Sequence, residues 1–164
     1  MIELLVLDVD GCLTDGKITY DSNGIESKSF DVKDGLAIAT WIRMGKKVAI
    51  ITGRSSTIVE KRAKELGISH LYQGIKNKKQ KLDELLKELN LDYSHVASIG
   101  DDLNDYHMLK SANLSFTPKN GSNEIKKIVD VILSKDGGNG AVREMIEYIL
   151  EKDDTKQRFL SQWI

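Results

Sequence analysis

The chain has 164 residues, 40% of them hydrophobic, with 24 Lys and Arg against 25 Asp and Glu for a formal net charge of -1. That length suits one domain with a real core, and the balanced charge excludes the basic field of a nucleic-acid binder or the polybasic tract of a membrane-surface protein. A single cysteine, Cys12, rules out an intrachain disulfide. With no long apolar run and no signal-type segment, the chain is expected in the cytoplasm.

Residues 3–9 (Glu-Leu-Leu-Val-Leu-Asp-Val) read as a short strand buried on both faces of a parallel sheet. The strand runs into Asp8 and Asp10, and Gly11 then permits a sharp turn. Buried acids are unfavourable unless paired, hydrogen-bonded or metal-bound. Residues two apart in extended chain point the same way, so these two carboxylates can converge on one ion or substrate. The competing reading is a strand end with capping aspartates. Cys12 reads as a small buried space-filler rather than a nucleophile.

Residues 17–30 place Ile18, Tyr20, Ile25 and Phe30 around Asp21-Ser22-Asn23-Gly24, which predicts a two-stranded hairpin flap outside the main sheet. Asp34 is expected to cap a helix that carries Leu36, Ile38, Ala39, Trp41 and Ile42 and ends at Gly45. Residues 47–52 form a second buried strand, and Gly53-Arg54-Ser55-Ser56 turns it into a helix reaching Leu66. The alternation continues with a short strand at Leu71 and Tyr72, a helix over 78–89 and a strand over 96–99 ending in Gly100-Asp101-Asp102. Segments 104–111, 122–128 and 141–151 read as helical, the last being the final helix, and 113–117 and 129–133 as extended. About six such units predict an α/β, Rossmann-like parallel sheet with helices on both faces, with ligands at the carboxyl ends of its strands. Residues 1–152 are read as one domain and 153–164 as a tail whose apolar end, Phe159 to Ile164, must fold back on its own subunit or dock on a neighbour. His70, His95 and His107 are not spaced as metal ligands and read as packing or surface.

Taken together, Asp8-x-Asp10-Gly, Thr52-Gly-Arg, Lys78 and Gly100-Asp-Asp-x-x-Asp105 resemble, in order and in strand-end placement, the motifs of the haloacid dehalogenase superfamily. Residues 20–35 and 49–54, Leu71-Tyr72-Gln73-Gly74 and Gly137-Gly138-x-Gly-Ala-Val-Arg-Glu144 are similar to one branch, the 3-deoxy-D-manno-octulosonate 8-phosphate phosphatases of lipopolysaccharide precursor synthesis. The resemblance implies a magnesium-dependent phosphomonoesterase. Asp8 would be the nucleophile that forms an aspartyl phosphate, and Asp10 the acid and then the base. Mg2+ would sit on the side chains of Asp8 and Asp101 and the main-chain carbonyl of Asp10, as suits a hard cation. Asp102 would support the metal and Asp105 would hold Lys78; Thr52 would donate to the phosphoryl group and Lys78 would balance charge.

By the same resemblance Arg54 would favour the octulosonate over a nine-carbon sugar acid, since a guanidinium pairs well with a carboxylate. Lys33 and Asp34 are further substrate-binding candidates. Asn139 departs from the arginine that the branch often carries. Neither the segment from Asp10 to Thr52 nor that from Thr52 to Asp101 has room for an inserted cap domain. The resemblance therefore implies a capless homo-oligomer, a tetramer, whose hairpin and tail complete neighbouring pockets. Two alternatives stay open: a phosphatase of nine-carbon or varied small phosphates, and a phosphoaspartate receiver module. Asp10 argues against the receiver, because only turnover needs an acid two residues from the nucleophile.

Overall fold

In the computed structural model, which describes residues 1–164, the chain opens with β1 (Leu4–Leu7), the hairpin strands β2 (Thr19–Tyr20) and β3 (Glu26–Ser27), and α1 (Val32–Arg43). There follow β4 (Lys47–Ile51), α2 (Thr57–Leu66), β5 (His70–Tyr72), α3 (Lys78–Leu89), β6 (Val96–Ile99) and α4 (Tyr106–Ser111). The last elements are β7 (Leu114–Thr117), α5 (Asn123–Lys126), β8 (Val131–Ile132), α6 (Ala141–Lys152) and α7 (Lys156–Leu160). The six long-sheet strands are all parallel, in the order β5-β4-β1-β6-β7-β8.

The period-2 geometry of a strand explains the two layers. Leu5 and Leu7 of β1, with Val48, Ile50, Ala97 and Ile99 beside them, face a core of 27 residues completed by α1, α2 and α6, including Trp41, Met145 and Ile149. Leu4, Val6, Ala49, Ile51 and Val96 face the other way, onto a core of 9 residues closed by Leu82, Leu85, Leu86 and Met108. The first face is therefore the heavier apolar layer, and α3 on the thinner face is free to present a polar N-terminus to the strand ends. No helix is long and apolar enough to cross a membrane.

Two local expectations are corrected. Asp31, not Asp34, caps α1: its carboxylate accepts from the backbone N–H groups of Lys33 (2.7 Å) and Asp34 (3.1 Å). The helix thus starts earlier than its apolar spacing suggested, and Asp34 is turned inward. The helix over Ala141–Lys152 is also not the last. Thr155 closes the preceding turn on Leu150, α7 follows, and Phe159 enters the main core at 4% exposure. The tail also contacts its own subunit beyond Phe159, with the Trp163 indole N–H donating to Thr40 Oγ1 at 3.0 Å and the Arg43 guanidinium 4.1 Å from the Trp163 ring centre, while Ile164 stays 93% exposed. Burial of Phe159 accounts for the packing of α7 on the main core. As expected, the hairpin stands apart as its own two-stranded sheet, with Thr19 opposite Ser27 and Tyr20 opposite Glu26.

Candidate active site

The chain runs outward from β1 through β4 to β5, then crosses back to β6 on the other side of β1, so the sheet's topology reverses around its central strand. Ligands in open α/β sheets bind at such a point, outside the carboxyl strand ends. Asp8 follows β1 there, its N–H donating to Ile99 O (3.2 Å); Thr52 follows β4, its N–H donating to Tyr72 O (3.0 Å); Asp101 follows β6. Three adjacent strands thus deliver three motifs to one place.

After Asp8 the backbone folds into a tight loop over Val9–Leu13, closed by Thr14 N–H donating to Val9 O, with Gly11 at φ +91°. A side chain at Gly11 would put its Cβ 1.9 Å from Asp101 Oδ2, so only glycine allows the first and last motifs to meet. Gly137 closes the loop from behind: a Cβ there would lie 1.8 Å from Gly11 O. The glycine-rich segment before α6 is therefore the back wall of the aspartate loop.

Lys78, the first residue of α3, is 2% exposed, and its ammonium donates to Asp8 Oδ1 (2.7 Å) and Asp105 Oδ1 (2.6 Å). Asp105, fully buried, accepts with its other oxygen from the N–H groups of Asp101 (3.0 Å) and Asp102 (3.3 Å). One carboxylate thus ties the lysine to the turn that carries Asp101. Burial, and then the charge of Asp105, push Asp8 up to about 6 against the pull of Lys78. Asp101 is pushed up to about 8 by burial and then by Asp8, Asp105 and Asp102. For Lys78, burial works downward but Asp8 and Asp105 outweigh it and raise the ammonium's pKa.

The acids outnumber the lysine, an excess of negative charge that a bound cation would balance. The ligand atoms of Asp8, Cys12 and Asp101 lie within 4.8 Å of one another. Burial, then the charges of Asp8, Asp101 and Asp105, push the Cys12 thiol well up, so it presents S–H rather than thiolate. The two carboxylates, with the carbonyl-rich aspartate loop beside them, make a predominantly hard oxygen donor set, which fits a divalent cation such as magnesium.

These groups open on a cavity of about 270 Å³ with no hydrophobic lining, bounded by Asp8, Asp10, Thr52, Arg54, Asp101 and Asp102, among others. Asp10 is held from the flap. Lys28 Nζ reaches Asp10 Oδ1 at 2.5 Å, and Arg54 Nε lies 4.0 Å from Asp10 Oδ2. Arg54 in turn donates to Tyr20 Oη (3.1 Å) and faces Glu26 Oε2 at 3.6 Å.

A haloacid dehalogenase-like hydrolase family model matches residues 71–146. The 3-deoxy-D-manno-octulosonate 8-phosphate phosphatase of Escherichia coli strain K12 is 42% identical over 144 residues, 88% of this chain and 77% of that protein. Its counterpart from Haemophilus influenzae is 38% identical over 97% of this chain and 92% of its own length. The chain belongs to the 3-deoxy-D-manno-octulosonate 8-phosphate phosphatase family. Among solved structures, the Moraxella catarrhalis member, in complex with magnesium ion, phosphate ion and KDO, superposes with a TM-score of 0.95 at 45% identity, covering 99% of this chain and 94% of that one.

Within this family framework, Asp8, Asp10, Thr52, Lys78, Arg54, Asp101, Asp102 and Asp105 come together at the strand ends. Lys33 and Asp34 do not line this cavity. Lys33 borders a second polar cavity with Asn139 and Arg143. Asp34, 1% exposed, accepts from Arg143 N–H (2.8 Å) at the start of α6, and burial pushes it up to about 6. The sequence reading missed Asn104, which lines the cavity inside the motif ending at Asp105, and the flap residues Tyr20, Glu26 and Lys28. Asn104 was legible as part of that motif. Nothing in hairpin alternation signals which polar side chain turns inward.

Proposed function

We infer that this chain is a magnesium-dependent phosphatase of a sugar-acid phosphate, 3-deoxy-D-manno-octulosonate 8-phosphate before others, which it hydrolyses to the free sugar acid and phosphate. The observation that carries this reading is the buried Lys78 bridging Asp8 and Asp105, with Asp101 pressed against the aspartate loop. The KDO- and phosphate-bound relative supports the choice of substrate.

Magnesium, held by the carboxylates of Asp8 and Asp101 and the main-chain carbonyl of Asp10, with Asp102 as support, supplies charge neutralisation for the phosphoryl oxygens. Lys78 holds Asp8 so that one oxygen faces the cavity. That oxygen attacks phosphorus, and the bond from phosphorus to the sugar oxygen breaks as Asp10 gives that oxygen its proton. Water then attacks the aspartyl phosphate, Asp10 takes its proton, and inorganic phosphate leaves with Asp8 restored. The Thr52 hydroxyl donates to a phosphoryl oxygen, and Arg54, half-exposed at the mouth, pairs with the substrate carboxylate.

The direct test is phosphate release from the octulosonate 8-phosphate and from its nine-carbon counterpart, with magnesium and with chelator. Magnesium-dependent preference for the octulosonate is expected; activity on aryl phosphates alone would discard the sugar-acid assignment. The reading also includes a homotetramer, supported by the open mouth and by the exposed Tyr20, Ile25 and Val32 on the flap and at the start of α1. Light scattering coupled to size exclusion should give four chains per particle, and a monomer would overturn that part.

A further inference from the structure

The hairpin is built mostly of exposed residues: Thr19, Tyr20, Ile25 and Ser27 all face solvent. Lys28 is the exception, its side chain only 1% exposed. Removing an ammonium from water is strongly unfavourable unless a carboxylate compensates it. Two do: Asp10 Oδ1 at 2.5 Å and Glu26 Oε1 at 3.4 Å. Every side-chain hydrogen bond and ion pair that leaves residues 19–28 ends on Asp10 or Arg54. The flap is therefore tied to the site through those two residues, and the tie on Asp10 is the buried one.

We propose that Lys28 is a positioning residue for Asp10: by occupying Oδ1 it fixes the carboxyl so that Oδ2 faces the cavity, and it makes the aim of Asp10 depend on the docked flap. This rests on the phosphatase reading, in which Asp10 carries the proton to the leaving oxygen and from the attacking water. The geometry agrees with that division of labour. Oδ1 is taken by Lys28, whereas Oδ2 has only Arg54 at 4.0 Å, too far for a hydrogen bond, and is the oxygen left for proton transfer. Asp10 needs such a support because it sits in a loop between Val9 and Gly11 rather than in a strand, and its side chain is 22% exposed. A carboxyl free to rotate there would lose the alignment that proton transfer requires. Glu26 Oε1, buried and facing Lys28, keeps the ammonium from swinging away.

The experiment compares the full-length wild type, Lys28→Met and Lys28→Arg with magnesium on two substrates that differ in leaving group. An alkyl phosphate, the octulosonate 8-phosphate, needs the proton in the first step; 4-nitrophenyl phosphate, whose phenolate leaves unaided, does not. Lys28→Met should lower kcat on the alkyl ester by ~10²-fold, with KM within about twofold of wild type. On the aryl ester the variant should keep a fast first burst of nitrophenol followed by slow turnover, because the phosphoenzyme still forms but its hydrolysis lacks an aimed base. Lys28→Arg, which restores a donor, should recover most of the loss. Unchanged kcat in Lys28→Met overturns the proposal. So does a loss confined to KM, which would make Lys28 a substrate contact, or a loss of burst and turnover alike that Lys28→Arg does not recover, which would make it a packing residue. Wild type inactive on both esters would instead overturn the phosphatase reading and this proposal with it.

Discussion

The two halves of the strand-end site are held by opposite means. In the inner half, the side chains of Lys78 and Asp105 are 1% and 0% exposed, and every polar atom that joins them to Asp8 and the Asp101 turn is fixed by a helix start or a strand end. In the outer half, Arg54 is 48% exposed and Asp10 22%, and both lean on a hairpin whose strands are two residues long. Charge in the inner half works in a low dielectric, where loss of the one ammonium that balances the buried acids is felt as stability. The charge of Arg54 in the outer half is screened, so its loss is felt as binding or turnover rather than as unfolding.

The largest expected effect is on the nucleophile. Asp8→Asn should lower kcat on the order of 10⁴-fold or more, as loss of a covalent nucleophile does. It should leave the metal-free protein as stable as the wild type, because burial and Asp105 already work against the Asp8 charge. Turnover near the wild-type rate would sink the covalent mechanism, and phosphate release measures it directly. Lys78→Met should come next in stability: it strands Asp8 and Asp105 without their ammonium, for about 3–5 kcal/mol by urea titration. Arg54→Met is its counterpart at the mouth, costing under about 1 kcal/mol in stability. Its KM for the sugar-acid phosphate should rise roughly 10- to 100-fold through loss of a charge-assisted hydrogen bond, with KM for an aryl phosphate unchanged. Similar stability losses for the two variants would erase the contrast between the halves.

Magnesium tests the inner half from the other side. A cation that binds only the folded chain adds about 2.7 kcal/mol at 100 times its dissociation constant, and chelator should remove that increment. Asp101→Asn should abolish it, since Asp101 is the acid that burial and then its acidic neighbours push highest. A melting temperature indifferent to magnesium would mean that the excess negative charge is met in some other way.

Most of the inner half was legible before any coordinates, and the reason is physical. Ligand chemistry in open α/β sheets sits at strand ends, strands announce themselves by apolar runs such as residues 4–7 and 96–99, and several motifs of acids after such runs, in order, outweigh a reading as capping aspartates. The outer half was harder to read because exposed residues carry no periodic signal. Asn-Gly located the hairpin, but nothing marked Lys28 as the side chain that turns inward. Asp34 was misplaced for a related reason: Asp31 and Asp34 both precede apolar helix residues, and only the packing of α1 on α6 decides which becomes the cap.

Asp34 gives the smallest expected effect and the cleanest control, because burial pushes it up to about 6, like Asp8, but at a place where a helix start rather than a lysine faces it. The causes are burial first, opposed by the N–H groups at the start of α6 and aided by Asp31. A carboxyl whose folded pKa lies above its unfolded value favours the folded state in its protonated form. Its contribution is therefore complete below the unfolded pKa of about 4 and is lost as pH rises through about 6, a change of at most ~3 kcal/mol. Asp34→Asn keeps an oxygen for the Arg143 N–H but cannot ionise. The wild type should thus lose more stability than the variant between about pH 4 and pH 7, measured by urea titration with chelator present so that the cation site does not contribute. Activity at neutral pH should be unchanged, because Asp34 does not line the catalytic cavity. Parallel pH profiles would mean that the helix start compensates the buried charge in full. A fall in kcat would mean that the α1–α6 contact helps to set the aspartate loop, to which Gly137 and Gly138 connect it.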